Sequence, residues 1–327
     1  MFEEIRGHSV AIAGLRAELE RRRFAYAYLF FGQDGVGKKR IALEFARGIV
    51  CPRATEAGHR DCRCCRNVQS LSHPDVILIV RLEGKQDISI DQIREVQAVI
   101  ELKALEADHR VLLIDDAHRL SLEAANSLLK TLEEPPEEVV IILITASLAP
   151  LPTTVVSRCR LVRFGCLDFG STAELLRPKV GSPEEAERLA RLSEGSVSRA
   201  LAFQALLGEV SEDEILKAAG ELRFGETVGF ARMLLEKVES SSAEETRDRA
   251  GLLLDLLASV CRDAAAISTG LAPSFWPHRR EQIERLAQTP TYALESRIKS
   301  ILDAKEAIGY NANVGMTLEQ TLLRLST

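Results

Sequence analysis

A chain of 327 residues, 46% hydrophobic and 28% charged, has the balance of an ordinary globular protein, which excludes a disordered or fibrous one. That length exceeds one typical core and predicts about two or three domains. A formal net charge of −6 excludes attraction of nucleic acid by bulk electrostatics, so any DNA contact has to be local or supplied by a partner.

The opening Phe2-Glu3-Glu4-Ile5-Arg6 is charged and lacks the long apolar core of a leader, and no stretch runs to about 18 uninterrupted apolar residues. A cytoplasmic location is the expectation. Of the seven cysteines, Cys51, Cys62, Cys64 and Cys65 crowd together, whereas Cys159, Cys166 and Cys261 are scattered. Without an export signal, such crowding favours a metal over disulfides.

Along the first half, strand-like and helix-like stretches alternate, the pattern of a parallel sheet covered by helices. Tyr28-Leu29-Phe30-Phe31 predicts a short buried strand. After a glycine-rich turn, Ile41, Phe45 and Ile49 recur four apart and predict a helix. The runs 76–80, 111–114 and 139–146 are rich in β-branched residues and predict strands buried on both faces. Between them, Ile93, Val96 and Ile100 mark one helical face and Leu122, Ala125, Leu128, Leu129 and Leu132 another. The second helix is expected to stop at Pro135-Pro136, because proline lacks a backbone donor and clashes with the preceding turn. Beyond about residue 166 strand-like runs vanish and helical spacing takes over, as in Leu253, Leu256, Val260 and Ile267. Turns around Gly181-Ser182-Pro183 and 193–198 set off a small helical module, about 167–208, before a larger helical domain, 209–327.

The chemistry concentrates at a few places. Gly32-Gln33-Asp34-Gly35-Val36-Gly37-Lys38-Lys39 fits the phosphate-loop pattern between a strand and a helix. Glycines (Gly32, Gly35, Gly37) let backbone N–H groups wrap phosphates, Lys38 reaches the outer ones, and the helix N-terminus favours anions. The next position normally carries a Ser or Thr hydroxyl for magnesium, yet here it is Lys39. The run 111–114 ends in Asp115 and Asp116, where an ATPase places a metal-directed Asp and a water-activating Glu; Asp116 is one methylene short. The plainer alternatives are a connecting glycine turn and a capped strand-to-helix turn. Arg21-Arg22-Arg23 reads either as a phosphate-contacting patch or, more commonly, as a solvated helix end.

Asp115 to Leu120, Ala124-Ala125-Asn126-Ser127-Leu128-Leu129-Lys130-Thr131-Leu132-Glu133-Glu134-Pro135-Pro136 and Ser157-Arg158-Cys159 resemble the clamp-loader subunits of bacterial DNA polymerase III, a branch of the AAA+ ATPases. The likeness runs in order over roughly residues 5 to 205, and the last third is similar only as a helical collar. It implies an α/β AAA+ nucleotide-binding domain over 1–166, a helical lid over 167–208 and an oligomerisation collar over 209–327. It further implies a pentameric machine, with gamma/tau and delta subunits as neighbours, that opens a sliding clamp and places it on primer-template DNA.

In that family, ATP sits between subunits and the Arg of the Ser-Arg-Cys motif reaches the neighbour's nucleotide, which assigns a finger role in trans to Arg158. Thr145 matches the first sensor position and Arg199 the second. Family members carry four cysteines inserted after the phosphate-loop helix; here the spacing is Cys51-x7-His59-x2-Cys62-x2-Cys65, with His59 standing where a cysteine is usual. Structural zinc is implied, since imidazole and thiolate both suit a closed tetrahedral site. Cys64 is the alternative fourth ligand. The changed Lys39 and Asp116 point to a non-hydrolysing subunit with doubtful ATP and magnesium of its own. An ATP-hydrolysing gamma/tau-type motor and a free-standing AAA+ replication initiator are the competing readings.

Overall fold

A computed structural model describes residues 2–3, 5–56, 59–82 and 84–326. The chain forms two compact units, Met1–Ser171 and Thr172–Thr327.

The first unit is α/β. Its elements run α1 (Ser9–Arg21), β1 (Ala27–Phe31), α2 (Lys38–Val50), α3 (Arg63–Gln69), β2 (Val76–Ile79), α4 (Ile90–Ile100), β3 (Arg110–Ile114), α5 (Leu122–Glu133), β4 (Val139–Thr145), the single turn α6 (Thr153–Val156) and β5 (Arg160–Arg163). All strand pairings are parallel, in the order β2-β3-β4-β1-β5. This is the parallel α/β sheet expected from the sequence.

Why the central strands are unbroken apolar runs follows from the period of two. Along β1 and β4, Tyr28, Phe30, Ile142 and Ile144 join the core on the α1/α2 side, with Phe45 and Ile49. Ala27, Leu29, Ile141 and Leu143 join the core on the α4/α5 side, with Ile93, Ile100, Leu128 and Leu132. Phe45 is fully buried and meets Tyr28 edge-on, at 5.2 Å between ring centroids. Truncating it to alanine would cost about 3–5 kcal/mol.

Helix boundaries follow from local chemistry. Ser89 opens α4 with a capping box, its Oγ accepting from Gln92 N–H while the Gln92 side chain accepts from Ser89 N–H. Ser121 caps α5 through Ala124 N–H, and α5 ends at Glu133, just before the prolines. β5 was not expected: Arg160, Leu161 and Arg163 are exposed, so the segment has none of the apolar signal that betrays the inner strands. Arg22, from the basic run, donates to the carbonyls of Gly48 and Ile49 at the end of α2, at 3.0 Å each. It thus serves as a helix C-terminal cap within the unit.

The second unit is helical, as expected. α7 (Phe169–Leu176) straddles the division, and α8 (Pro183–Leu192), α9 (Val197–Leu207), α10 (Glu212–Leu216), α11 (Thr227–Val238), α12 (Ala243–Ser268), α13 (Arg280–Leu286), α14 (Thr291–Gly309) and α15 (Val314–Leu325) follow. One apolar core reaches from Ala173 to Leu325, so the helices of 167–208 share it with those beyond 208. Leu253, Leu256 and Val260 lie in it as their spacing predicts; Ile267 is only partly buried against it. Buried Asp263 accepts the backbone N–H groups of Ser274, Phe275 and Trp276, and Trp276 Nε1 donates to Ser259 Oγ at 2.8 Å. No helix among the described residues is long and apolar enough to cross a membrane.

Candidate nucleotide site and metal cluster

The loop 32–37 joins the end of β1 to the start of α2, and two of its glycines are demanded by geometry. A Cβ on Gly32 would stand 2.0 Å from the Phe164 carbonyl oxygen, so only glycine lets β1 pass that backbone. Gly37 caps α2 at φ 99°, where a side chain would be strained. Gly35 also has positive φ.

Lys38 is 5% exposed, and its ammonium donates to the carbonyls of Gly32 at 2.6 Å and Gln33 at 2.8 Å, with Asp34 Oδ1 at 3.3 Å. The donors a phosphate would use are spent on the loop's own oxygens. Beside it, Lys39 Nζ lies 2.9 Å from Asp115 Oδ2. The residue at the magnesium hydroxyl position has therefore placed a positive charge on the carboxylate that would hold the metal. Asp116 sits next door at φ 51°, in the left-handed region, with its N–H on Asp115 Oδ1. Burial, then the neighbouring Asp115 carboxylate, pushes the Asp116 carboxyl above its usual range.

Thr145, at the end of β4, gives its hydroxyl to the Ser147 carbonyl at 2.7 Å, with His118 Nδ1 at 3.5 Å. The hydroxyl closes the turn after the strand. Ser157-Arg158-Cys159 lies between α6 and β5. Cys159 packs on the apolar core, and burial pushes its thiol to about 12. Ser157 Oγ bonds back to the Thr154 carbonyl. Arg158 is left at the surface, its guanidinium resting 2.7 Å from Glu133 Oε1 and donating to the Thr154 carbonyl at 3.0 Å. Glu133 belongs to the Leu-Glu-Glu-Pro-Pro run, so the two most distinctive motifs of the sequence touch. Arg199 is in the second unit, where Asp255 at 3.1 Å and Glu194 at 3.2 Å hold it over the Phe203 ring.

Cys51, His59, Cys62 and Cys65 converge, with their ligand atoms all within 4.8 Å of one another, and could hold a metal ion. Cys51 caps the end of α2, Cys62 and Cys65 lie at the start of α3, and His59 comes from the loop between; Ala57 and Gly58 of that loop lie outside the described residues. Cys51 Sγ is 3.6 Å from His59 Nε2, 3.8 Å from Cys62 Sγ and 3.7 Å from Cys65 Sγ. Those sulfurs are far beyond bonding distance of about 2.05 Å. Cys64 packs against the cluster without joining the four convergent ligand atoms, and its Sγ lies 3.4 Å from Nε2 of buried His73. Burial opposes ionisation of Cys62, but the Cys65 N–H and side-chain hydrogen bonds from His59, Cys65 and Cys51 prevail and lower its thiol to about 6.

Two features of this region lie outside the sequence motifs. Asp75, fully buried, accepts the N–H groups of Leu105 and Glu106 at 2.7 Å and Ala107 at 3.0 Å, and pairs with buried Arg110 at 3.3 Å. Arg47, one turn before Cys51, is buried against the cysteine cluster. A basic residue on the otherwise apolar side of α2 was the visible hint.

Residues 7–168 match the family model described as DNA polymerase III, delta subunit. That match spans just under half of the chain. Over 318 residues it is 28% identical to DNA polymerase III subunit delta' of Bacillus subtilis, covering 94% of this chain and 92% of that protein. Subunit delta' of Pseudomonas aeruginosa is 34% identical over 181 residues, 54% of this chain and 55% of that one. Subunit tau of Bacillus subtilis is 32% identical over 197 residues, covering 60% of this chain but 34% of tau. The chain spans about a third to a half of the length of the tau relatives it matches. The likeness to the family model thus lies in the α/β unit, where the phosphate loop and the cysteine cluster lie.

Proposed function

We propose that the chain is a delta-prime-type subunit of a bacterial DNA polymerase III clamp loader, a largely non-hydrolysing AAA+ member. It works in the cytoplasm beside gamma/tau and delta subunits to support ATP-dependent placement of the sliding clamp on primer-template DNA. The observation that carries this reading is the ion pair between Lys39 and Asp115. A magnesium ATPase needs a hydroxyl and a free carboxylate at these two points, so that the metal can bridge the outer phosphates. Here an ammonium occupies the carboxylate and no hydroxyl stands beside it. Lys38, turned onto its own loop, and Asp116, too short to place a water as Glu would, support the same conclusion.

The chain's contribution to hydrolysis is then made at another subunit's site. Arg158 is a third exposed, permanently charged and planar, which suits it to the γ-phosphate of a nucleotide held by an adjacent motor subunit. The part of the second unit over 167–208 acts as the lid and 209–327 as the collar that joins the ring. Thr145 and Arg199 keep sensor positions whose side chains now serve local structure.

The metal of the cysteine cluster is zinc, in a structural role. Tetrahedral Zn–S and Zn–N bonds of about 2.3 and 2.0–2.1 Å place sulfurs about 3.8 Å apart and sulfur and nitrogen about 3.6 Å apart. The three spacings from Cys51, 3.6 to 3.8 Å, fit that set, and protein side chains supply four ligand atoms.

Reconstitution tests the reading. Gamma/tau and delta subunits of the same organism, mixed with clamp, primed DNA and ATP, should load clamps only when this chain is added. Loading at the same rate without it contradicts the assignment.

A further inference from the structure

Arg47 is the last basic residue of α2, and its side chain is only 4% exposed. A guanidinium does not enter an interior without partners, because an isolated buried charge is far too costly. One terminal nitrogen donates to Cys65 Sγ at 3.5 Å and to the His59 carbonyl at 3.1 Å. The other donates to Glu44 Oε2 at 2.8 Å, an ion pair one turn back on the same helix. Its own carbonyl accepts the N–H of Cys51 at 3.0 Å. This one residue therefore touches three of the four members of the metal cluster, and these come from α2, the loop and α3.

Charge gives the contact a purpose. Three thiolates and a neutral imidazole around a dication leave a net charge of −1 in a partly buried site. Two of the sulfurs receive backbone donors: Cys62 from the N–H of Cys65, and Cys51 from the N–H of Arg53. Cys65 is the most enclosed of the three, 1% exposed, and its donor is the charged guanidinium. Glu44, a fifth exposed, anchors the far side of the fork toward water and so aims the near side at the sulfur.

From this we infer that Arg47 is the positioning residue of the metal cluster: it donates a charged hydrogen bond to the Cys65 thiolate, offsets the site's negative charge and ties the His59 loop to α2. The inference rests on the zinc reading above. Outer partners of metal ligands orient them and tune their donor strength, and losing one typically weakens metal binding by about 10–100-fold. Lysine at this position would keep the charge but not the fork that reaches Cys65 and His59 together.

The test uses the full-length chain and the metals alone. Zinc affinity is measured by competition with a chromophoric chelator for wild type, Arg47→Met, which keeps an apolar stem, and Arg47→Lys. Arg47→Met should bind zinc about 10–100-fold more weakly, with Arg47→Lys in between. The cobalt-substituted proteins supply a readout that mere packing would not move. Without the donor, the Cys65 thiolate gives up electron density more readily, so the sulfur-to-cobalt charge-transfer band of Arg47→Met should move to lower energy while the ligand-field bands stay tetrahedral. If Arg47→Met does not fold, Arg47→Lys carries both measurements. Zinc affinity within twofold of wild type with an unmoved band overturns the role of Arg47. A wild-type chain that binds neither metal overturns the zinc reading itself, and the inference with it.

Discussion

Arg158→Ala should separate the stability of the chain from its work in the complex. In the chain alone the guanidinium has an ion pair with Glu133 at 2.7 Å and a hydrogen bond to the Thr154 carbonyl at 3.0 Å, and a third of the side chain is exposed. An ion pair open to water contributes about 0.2–1 kcal/mol and the hydrogen bond about as much, so the loss of stability should stay below about 2 kcal/mol. In the trans role proposed for it, at the transition state of a neighbour's phosphoryl transfer, the same group would contribute far more, about 10³–10⁵ in rate, which is about 4–7 kcal/mol. The functional effect therefore dominates. Because the other sites of a pentamer keep turning over, DNA-stimulated hydrolysis should fall by no more than the share of one site, whereas clamp loading, which needs the sites to act in sequence, should fall further. Reconstituted complexes assayed for hydrolysis and for loading of a fluorescent clamp provide the measurement. Arg158→Lys should not restore loading, since it lacks the planar fork. Glu133→Gln, which removes only the resting partner, should load normally. If the Arg158→Ala complex loads clamps at the wild-type rate, the trans role is wrong and Arg158 is a surface charge.

Three further outcomes are expected. Cys62→Ser should lower both zinc content, by elemental analysis, and thermal stability, and His59→Ala should lower zinc content more than Cys64→Ser, because His59 and not Cys64 converges with the other three ligand atoms. Asp75→Asn should cost about 3 kcal/mol or more, read from urea melts, because it leaves Arg110 buried without its counter-charge. Burial works against the Asp75 charge, but the N–H groups of Glu106, Leu105 and Ala107 and the Arg110 guanidinium hold its carboxyl below the usual range, so its stabilisation is present above about pH 4 and lost as pH falls through the lower folded value; the gap between wild type and Asp75→Asn should narrow on that side. Lys39→Thr should gain magnesium-dependent ATP binding, measured by titration calorimetry, without gaining turnover, because Asp116 stays short.

What was legible in the sequence had a period or a spacing. The three inner strands, β1, β3 and β4, alternate residues between two cores and so announced themselves as apolar runs, as did the partly buried edge strand β2; the Pro135-Pro136 stop of α5 and the Cys-x2-Cys spacing are local in the chain. β5 escaped because an edge strand pairs through its backbone alone and can carry Arg160 and Arg163 outward. The site's decisive facts are long-range pairings of charge. Lys39 and Asp115 were each visible as departures or signatures, but that one answers the other depends on β3 ending beside α2, which no periodicity reports. The same holds for Glu133 under Arg158 and for Arg47 under Cys65. Turn residues around 193–198 are likewise local in the chain, whereas the apolar core shared by helices on both sides of residue 208 is a long-range feature.

The central claim is that this chain's own phosphate loop is inert because an ammonium has taken the metal's carboxylate. Equilibrium ATP binding and steady-state turnover of the purified chain, each with and without magnesium, test it directly. The structure predicts no turnover above the blank, and weak or no binding that magnesium does not strengthen. Tight binding that requires magnesium, with turnover like that of a motor subunit, would mean that the pair between Lys39 and Asp115 opens to admit the metal, and would contradict it.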